Sequence, residues 1–298
     1  MSNKSQIKHQ FAELTNTSIT TAGRYLDAAN YDLSVALGTY FDKHQTSSPF
    51  SFSASSPKID NRLLVLFKKY QDGKDPEIID VDGTMAYLED LDISPEDVRS
   101  LTLAYLLNSP KMGVFTKKSF VGIWQQNKIF DLKGMKNFII KFHDALIHKG
   151  ISSASGYVDL QGDDLSLQGM YNYAFGFLME VENQRLLDIE TAIEYWKLLI
   201  PIIITSYMVE ITPIDEEDFI TSVNERINQW YEFLIEEKSK KAITYDTWSM
   251  FYLFFKEVIL DDPVNFKNYD EMAAWPSFMD EYIEFLYDKE LLTPSSHT

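Results

Sequence analysis

Apolar residues recur at spacings of three and four along almost the whole chain, and hardly any segment alternates apolar and polar residues as a strand would. This period is typical of helices that bury one face, so we expect an all-α protein. After residue 58 it predicts helices at about 59–70, 83–91, 95–107, 117–127, 132–148, 167–181, 189–203, 216–237, 246–260 and 271–287, with Ser94 as N-cap of the third.

A Ser-rich segment bounded by prolines, TSSPFSFSASSP at residues 46–57, divides the chain. Such a composition offers little to pack and is typical of a flexible linker. The block before it, residues 5–45, has three short apolar clusters at helical spacing, which predict a small three-helix bundle with Thr17 or Ser18 and Asp32 as N-caps. Residues 58–290 are expected to form one larger helical domain, since 45% of the 298 residues are hydrophobic.

The chain has no Cys, which excludes disulfides, thiolate metal sites and a cysteine nucleophile, so no thioester can form on it. Its five His are too scattered in sequence to suggest a zinc centre. The motifs GxSxG, GxxxxGK[ST], HExxH and GxGxxG are all missing. We therefore expect no catalytic residue, no metal and no cofactor. A small-molecule hydrolase that uses paired acids is the enzymatic alternative.

The net charge of −18 disfavours nucleic acids and anionic membranes as partners and favours a basic protein. Residues 210–290 hold 20 acidic and 7 basic side chains, so the surface for that partner is expected in the C-terminal part. We see no apolar run near the roughly 20 residues of a membrane span and no hydrophobic signal region. A soluble intracellular protein, in cytoplasm and nucleus, is the expectation.

The segment from Asp72 to Gly83 lies between two predicted helices and resembles the loop of a calcium-binding helix–loop–helix. With Asp72 at position one, Lys74 and Pro76 replace oxygen ligands and Gly83 replaces the closing Glu. The sequence therefore predicts calcium-hand-like helix pairs that lack calcium, with Asp82 capping the following helix.

Aromatic residues cluster in the strings YNYAFGF (171–177), AIEYWKLL (192–199), DTWSMFYLFF (246–255) and NYDEMAAWPSFMDEY (268–282). Their helical spacing is typical of a core, although Phe115, Phe177, Tyr195 and Leu198 could equally line a small apolar pocket. Near the C-terminus, Asp246 is expected at a helix N-terminus, where a carboxylate is favoured. Pro276 is expected to kink or restart a helix.

These four strings resemble the signature segments of the defective-in-cullin-neddylation family, in the same order and at similar intervals. The block containing AANYDLSVALGTYF (28–41) resembles that family's ubiquitin-associated domain. The resemblance is to fungal members, covers about residues 5–288 apart from the linker, and implies a ubiquitin-associated domain followed by a potentiating-neddylation domain. It implies a scaffold-type ligase component that promotes transfer of a ubiquitin-like modifier from its conjugating enzyme to a cullin lysine.

The resemblance also implies site residues. The family's patch for the cullin C-terminal domain matches Asp246, Ala274 and Asp280. Its pocket for the N-terminally acetylated Met of the conjugating enzyme matches Ser100, Leu103, Met112, Phe115, Phe177, Tyr195 and Leu198. Acetylation matters because burying an unpaired ammonium group is costly.

Two departures from the family pattern stand out. Thr84 and Ser100 occupy positions that are aliphatic in some relatives, which bears on the shape of the pocket. The sequence TNTS (15–18) replaces a Met-Gly-Phe-type loop in the N-terminal block, whose implied partner is ubiquitin or the ubiquitin-like modifier. A passive ubiquitin-binding or calcium-sensor-like interaction module, without ligase-promoting activity, is the alternative function.

Overall fold

The computed structural model describes residues 3–15, 17–44, 59–151, 154–179, 184–211, 213, 215–236 and 242–293. Within them it has thirteen α-helices and six short strands, which confirms the all-α class. The elements are α1 Asn3–Thr15, α2 Ile19–Ala28, α3 Leu33–His44, α4 Asn61–Tyr70, β1 Ile78–Ile79, α5 Val81–Asp90, α6 Val98–Leu106, β2 Phe115–Thr116, α7 Lys117–Gln126, α8 Leu132–His148, β3 Ala154–Val158, β4 Asp164–Ser166, α9 Leu167–Phe177, β5 Leu186–Asp188, α10 Ile189–Glu210, α11 Glu216–Glu236, β6 Ala242–Thr244, α12 Tyr245–Phe254, a π-helical turn Phe255–Ile259, and α13 Ser277–Asp288.

The chain forms two compact units, residues 1–58 and 59–298. In the first, α1 to α3 surround a small aromatic core, where Phe11 stacks on Tyr25 at 5.9 Å and Tyr40 meets both rings edge-on. The Ser18 hydroxyl caps α2, and Asp32 accepts a hydrogen bond from the backbone N–H of Val35 in α3. The predicted linker, residues 46–57, lies outside the described residues.

The described residues of the second unit contain four helix–strand–helix units of calcium-hand shape, arranged in two pairs. Within each pair, the loops of the two units meet through a short antiparallel strand pair: β1 with β2, and β5 with β6. The inward residues of these strands are buried, Ile79 opposite Phe115 and Leu187 opposite Ile243. The helix α8 and the hairpin β3–β4 lie between the two pairs in sequence, and both pairs share one hydrophobic core.

In the first of these loops the carboxylates bind the chain's own backbone. Asp72 accepts hydrogen bonds from the N–H groups of Lys74 and Asp75, and Asp75 accepts one from Glu77. The N-cap of α5 is Asp80, whose Oδ1 lies 3.0 Å from the N of Gly83. The expectation that Asp82 caps this helix is therefore wrong, because Asp82 lies two residues after the N-cap, within the first turn.

Gly83 is required by close packing of α5 on α4. A Cβ at this position would lie 2.0 Å from the carbonyl oxygen of Tyr70 and 2.8 Å from Ile79. Since a backbone carbonyl at the end of a helix cannot move aside as a side chain can, the crossing of these two helices depends on the missing Cβ.

Several helix ends differ from prediction. α6 begins at Val98 because Asp97, rather than Ser94, accepts the capping hydrogen bond from Arg99. α10 continues seven residues past the predicted end, to Glu210, with Pro201 on its exposed side. The last helix begins only at Ser277, because the residue before a proline avoids helical dihedral angles. The hairpin β3–β4 was not predicted.

Of the described helices, α10 alone is long and apolar enough to cross a membrane. Half of that segment is buried inside the unit, and its inward side packs in the core through Trp196, Leu199 and Ile203. Its apolar character is that of a central core helix.

Candidate functional site

The three residues predicted for the acidic patch lie on α12, on α13 and on the segment between them. Asp246 is exposed in the first turn of α12, and Asp280 is half-buried in the first turn of α13. Ala274 is exposed in the irregular segment of residues 260–276, beside Met272, whose side chain is 91% exposed. Both carboxylates thus stand at helix N-termini, where the helix dipole favours negative charge.

A buried hydrogen-bond network fixes the beginning of α12. Trp248 donates from Nε1 to the backbone oxygen of Tyr171 in α9, and the Tyr171 hydroxyl donates to the backbone oxygen of Trp248, both at 2.8 Å. The same hydroxyl accepts a hydrogen bond from Nε1 of Trp196 in α10, also at 2.8 Å. Because buried polar groups are costly unless paired, these bonds specify how α9, α10 and α12 pack, and so where Asp246 is presented.

Aromatic packing holds the segment of residues 260–276 against α12. Phe254, fully buried on α12, meets the rings of Tyr269 and Trp275 edge-on at 6.4 and 5.5 Å. At the beginning of the segment, Asp262 accepts hydrogen bonds from the N–H groups of Val264 and Asn265. The segment lacks regular structure but has many internal contacts.

Tyr269 connects this segment to α13. Its hydroxyl donates a hydrogen bond of 2.8 Å to Oδ1 of Asp280. Burial, with the Asp280 carboxylate next in effect, raises the pKa of Tyr269 well above its usual range, so the phenol keeps its proton and acts as donor. The bond orients Oδ1 of Asp280, and among the described hydrogen bonds none involves Oδ2.

The residues predicted for the acetyl-Met pocket differ widely in exposure. Leu103 on α6, Phe115 on β2 and Phe177 at the end of α9 are buried, while Met112 is 54% exposed. Ser100 is half-buried on α6, and its hydroxyl donates to the Pro95 backbone oxygen at 2.8 Å.

Tyr173 on α9 connects Phe177 with the turn that carries Met112. Its hydroxyl donates to the backbone oxygen of Ser109 at 2.7 Å and lies 3.1 Å from that of Ala104, and its ring stacks on Phe177 at 5.5 Å. Ser109 in turn closes the turn that bears Met112, and Thr84 donates to the Gly113 oxygen at 3.0 Å. This brings the end of α9 beside the turn that carries Met112.

Tyr195 and Leu198 lie half-buried on α10. Among the described hydrogen bonds and ring contacts, none joins either side chain to Phe177, Phe115 or the turn that carries Met112. Burial raises the pKa of Tyr195, which keeps this hydroxyl protonated.

The structure also shows two grooves that the sequence did not indicate. One, of about 510 Å³, runs along α5 and is lined by Asp82, Met85, Ala86, Glu89, Ile93 and Pro95. The other, of about 600 Å³, lies in the N-terminal unit and is lined by Lys8, Ile19, Thr20, Gly23, Arg24 and Asp27. For the groove along α5, the sequence does carry a signal: the spacing of Asp82, Met85 and Glu89 places them on one helical face.

In the part of the chain that the structure describes, no group of three or more His, Asp or Glu side chains is arranged to hold a metal ion. The carboxylates of the first calcium-hand-like loop are bound to backbone N–H groups instead.

A family model described as cullin binding matches residues 152–285, and one described as a UBA-like domain matches residues 9–47. Defective in cullin neddylation protein 1 of Candida albicans is 48% identical over 302 residues, which cover 98% of this chain and 100% of that protein. The protein of the same name from Saccharomyces cerevisiae is 28% identical over 283 residues, covering 94% and 93%. DCN1-like protein 3 of Drosophila melanogaster is 27% identical over 235 residues, covering 79% and 58%.

Proposed function

This chain belongs to the defective-in-cullin-neddylation family and has a role in cullin neddylation, and from that premise we propose that it acts as a non-catalytic scaffold. The cullin C-terminal domain docks on the patch of Asp246, Ala274 and Asp280. The acetylated N-terminal tail of the conjugating enzyme occupies the predicted pocket. Holding both partners raises the effective concentration of the charged thioester beside the acceptor lysine.

The observation that carries this proposal is the arrangement of the patch. Two carboxylates stand at helix N-termini, and an exposed small residue, Ala274, lies between them in sequence, in the most acidic part of the chain. A basic partner surface can pair with both carboxylates, and the small side chain admits a partner side chain between them. All three residues fall within the segment that matches the cullin-binding family model.

For the conjugating enzyme, the supporting observation is the cluster around the end of α9. Phe177, stacked on Tyr173, lies beside the turn that presents Met112, and Leu103 and Phe115 are buried on neighbouring elements. An acetylated Met is uncharged and flexible, so it suits an apolar, aromatic-lined site. Ser100 gives this chain a polar hydroxyl at a position that is aliphatic in some relatives, which is expected to alter the pocket shape and the choice of conjugating enzyme.

The bond-making groups belong to the partners in this scheme. The thioester cysteine is on the conjugating enzyme, since this chain has no Cys, and the acceptor lysine is on the cullin. The expected gain in rate comes from proximity alone.

The test is a reconstituted time course of cullin modification with wild type and with the triple variant Asp246→Ala, Ala274→Arg, Asp280→Ala. We expect acceleration by the wild type and none by the variant, with both folded by circular dichroism. A control, Glu216→Ala with Glu217→Ala, removes the same number of carboxylates, two, from the first turn of α11 and should keep full activity. If wild type binds the cullin without accelerating transfer, the chain is a passive interaction module and the scaffold proposal is wrong.

The pocket is tested with a peptide of the conjugating-enzyme tail, with and without its N-terminal acetyl group. Met112→Glu places a charge on an exposed residue, so the fold should survive, and we expect weaker binding of the acetylated peptide. Met272→Glu, at an exposed Met of the other surface, is the control and should not affect the peptide. Equal binding of both peptide forms to the wild type would argue against the pocket.

A further inference from the structure

Arg226 on α11 is the one charged side chain that is buried within the described residues, with 8% of its surface exposed. Its guanidinium makes no ion pair among those residues, although acidic side chains are abundant in this part of the chain. A buried charge is costly unless other polar groups satisfy it. Its partners therefore indicate why an arginine is present.

Those partners are mainly backbone carbonyl groups that come before and after Ala274 and Asp280 in the chain. The guanidinium donates four hydrogen bonds, to Pro263 O at 2.7 Å, Val264 O at 2.9 Å, Leu291 O at 2.9 Å and Gln229 Oε1 at 3.0 Å. It also lies over the ring of Phe266, 5.1 Å from the centroid. Five donors in one rigid plane suit this set of acceptors, whereas a lysine offers a single charged nitrogen.

The backbone of Arg226 contacts the same region from the other side. The hydroxyl of Tyr282, fully buried on α13, donates to the Arg226 carbonyl oxygen at 2.7 Å. One residue thus binds the beginning of the segment of residues 260–276, the helix that follows that segment, and the turn after the helix. Ala274 and Asp280 lie between these attachment points.

We propose that Arg226 is a positioning residue for cullin docking. It holds residues 260–276 and α13 in the conformation that presents Ala274 and Asp280, without touching the partner itself. This inference rests on the proposed function for the identity of the partner. The holding of the segment can be measured on the free protein.

The first measurement is amide hydrogen exchange in the full chain, comparing wild type with Arg226→Gln and Arg226→Lys. The hydrogen-bonded amides of the segment include those of Phe266, Tyr269, Ala273 and Trp275, which donate to backbone oxygens within it. We expect at least tenfold faster exchange there in Arg226→Gln, an intermediate effect in Arg226→Lys, and unchanged exchange in α4 and α7. Unchanged exchange in the segment overturns the inference, whatever the binding data.

The second measurement is the affinity for the cullin C-terminal domain, at a temperature at which every variant is folded by circular dichroism. We expect the dissociation constant to rise at least tenfold in Arg226→Gln and less in Arg226→Lys. Leu63→Ala, in the fully buried face of α4, is the control that destabilises the unit elsewhere and should leave the affinity unchanged.

The outcomes separate the inference from the proposed function. If Leu63→Ala weakens cullin binding as much as Arg226→Gln does, the effect is general loss of stability and the positioning role is wrong. If the wild type does not bind the cullin, the proposed function is wrong and the docking role falls with it, while exchange still shows whether Arg226 holds the segment.

Discussion

The phenolic hydroxyl of Tyr269 donates a hydrogen bond of 2.8 Å to Oδ1 of Asp280. A residue of the irregular segment thereby orients a carboxylate on the next helix. The bond explains how an aspartate at the surface of an acidic region keeps one orientation, which a charged partner side chain needs for a close pair.

Tyr269→Phe removes this bond and keeps the ring against Phe254. We expect the dissociation constant for the cullin C-terminal domain to rise roughly fivefold, or about 1 kcal/mol, because the carboxylate is no longer held in place. Isothermal titration calorimetry measures the change. Tyr207→Phe, on α10, is the matched control and should leave the affinity at the wild-type value.

Tyr171→Phe tests the buried network behind Asp246. The change leaves Nε1 of Trp196 without its acceptor, and we expect the free energy of unfolding to fall by about 1–3 kcal/mol. Urea denaturation gives the value. Tyr157→Phe, whose ring packs on Phe138 and Phe142, should stay within about 0.5 kcal/mol of wild type. A similar loss of unfolding free energy in both variants would show that the network contributes no more to stability than another tyrosine hydroxyl does.

Gly83→Ala tests the close approach of α5 to α4. The added Cβ meets the Tyr70 carbonyl oxygen, so we expect a loss of about 1–3 kcal/mol in the free energy of unfolding. Gly176→Ala is the control on α9, where a Cβ meets nothing within 4 Å and the higher helix propensity of Ala should keep or raise stability. Thermal unfolding of the pair is the measurement, and equal melting temperatures would contradict the packing argument.

His143 on α8 gives the fold a predictable response to acid. Burial lowers the pKa of His143 below its usual value of about 6.5, although Asp144 and Asp97 oppose the shift, and its Nδ1 lies 2.9 Å from Oγ1 of Thr102. The unfolded chain then binds the proton more readily than the folded chain. Stability contributed by neutral His143 is complete above about pH 6.5 and is lost as the pH falls below that value.

His143→Gln removes this titration. When the pH is lowered from 7.5 to 5.5, we expect the free energy of unfolding to fall more for the wild type than for the variant. The difference between the two losses should be less than about 1.4 kcal/mol for each unit by which folding lowers the pKa of His143. Urea denaturation at both pH values tests this, and parallel losses would show that His143 does not contribute.

Much of the fold was predictable because helical periodicity is a local property. The bounds of α8, residues 132–148, agree with the prediction at both ends, since Asp131 caps it and the apolar spacing continues to His148. The helix ends that differ depend on single capping choices, such as Asp97 over Ser94 and Asp80 over Asp82. Several nearby residues can cap a helix, so composition alone does not choose among them.

Features that depend on distant contacts were not predictable in the same way. The pairing of β1 with β2 and of β5 with β6 joins residues far apart in sequence, through strands of only two or three residues that carry no alternation. The carbonyl groups that bind Arg226 come from residues 263, 264 and 291, and a carbonyl has no signature in a sequence. The acidic patch was predicted from family resemblance, whereas Tyr269 as the partner of Asp280 required the fold.

The loop carboxylates that bind backbone N–H groups have a consequence for regulation. In sensor proteins built on the same helix pair, ion binding changes the angle between the helices and opens a docking surface. Here Asp72 and Asp75 accept hydrogen bonds from backbone N–H groups of their own loop, and these bonds hold the turn between α4 and α5. With the proposed scaffold role, we expect the timing of its action to be set by the supply and chemical modification of the proteins that it brings together.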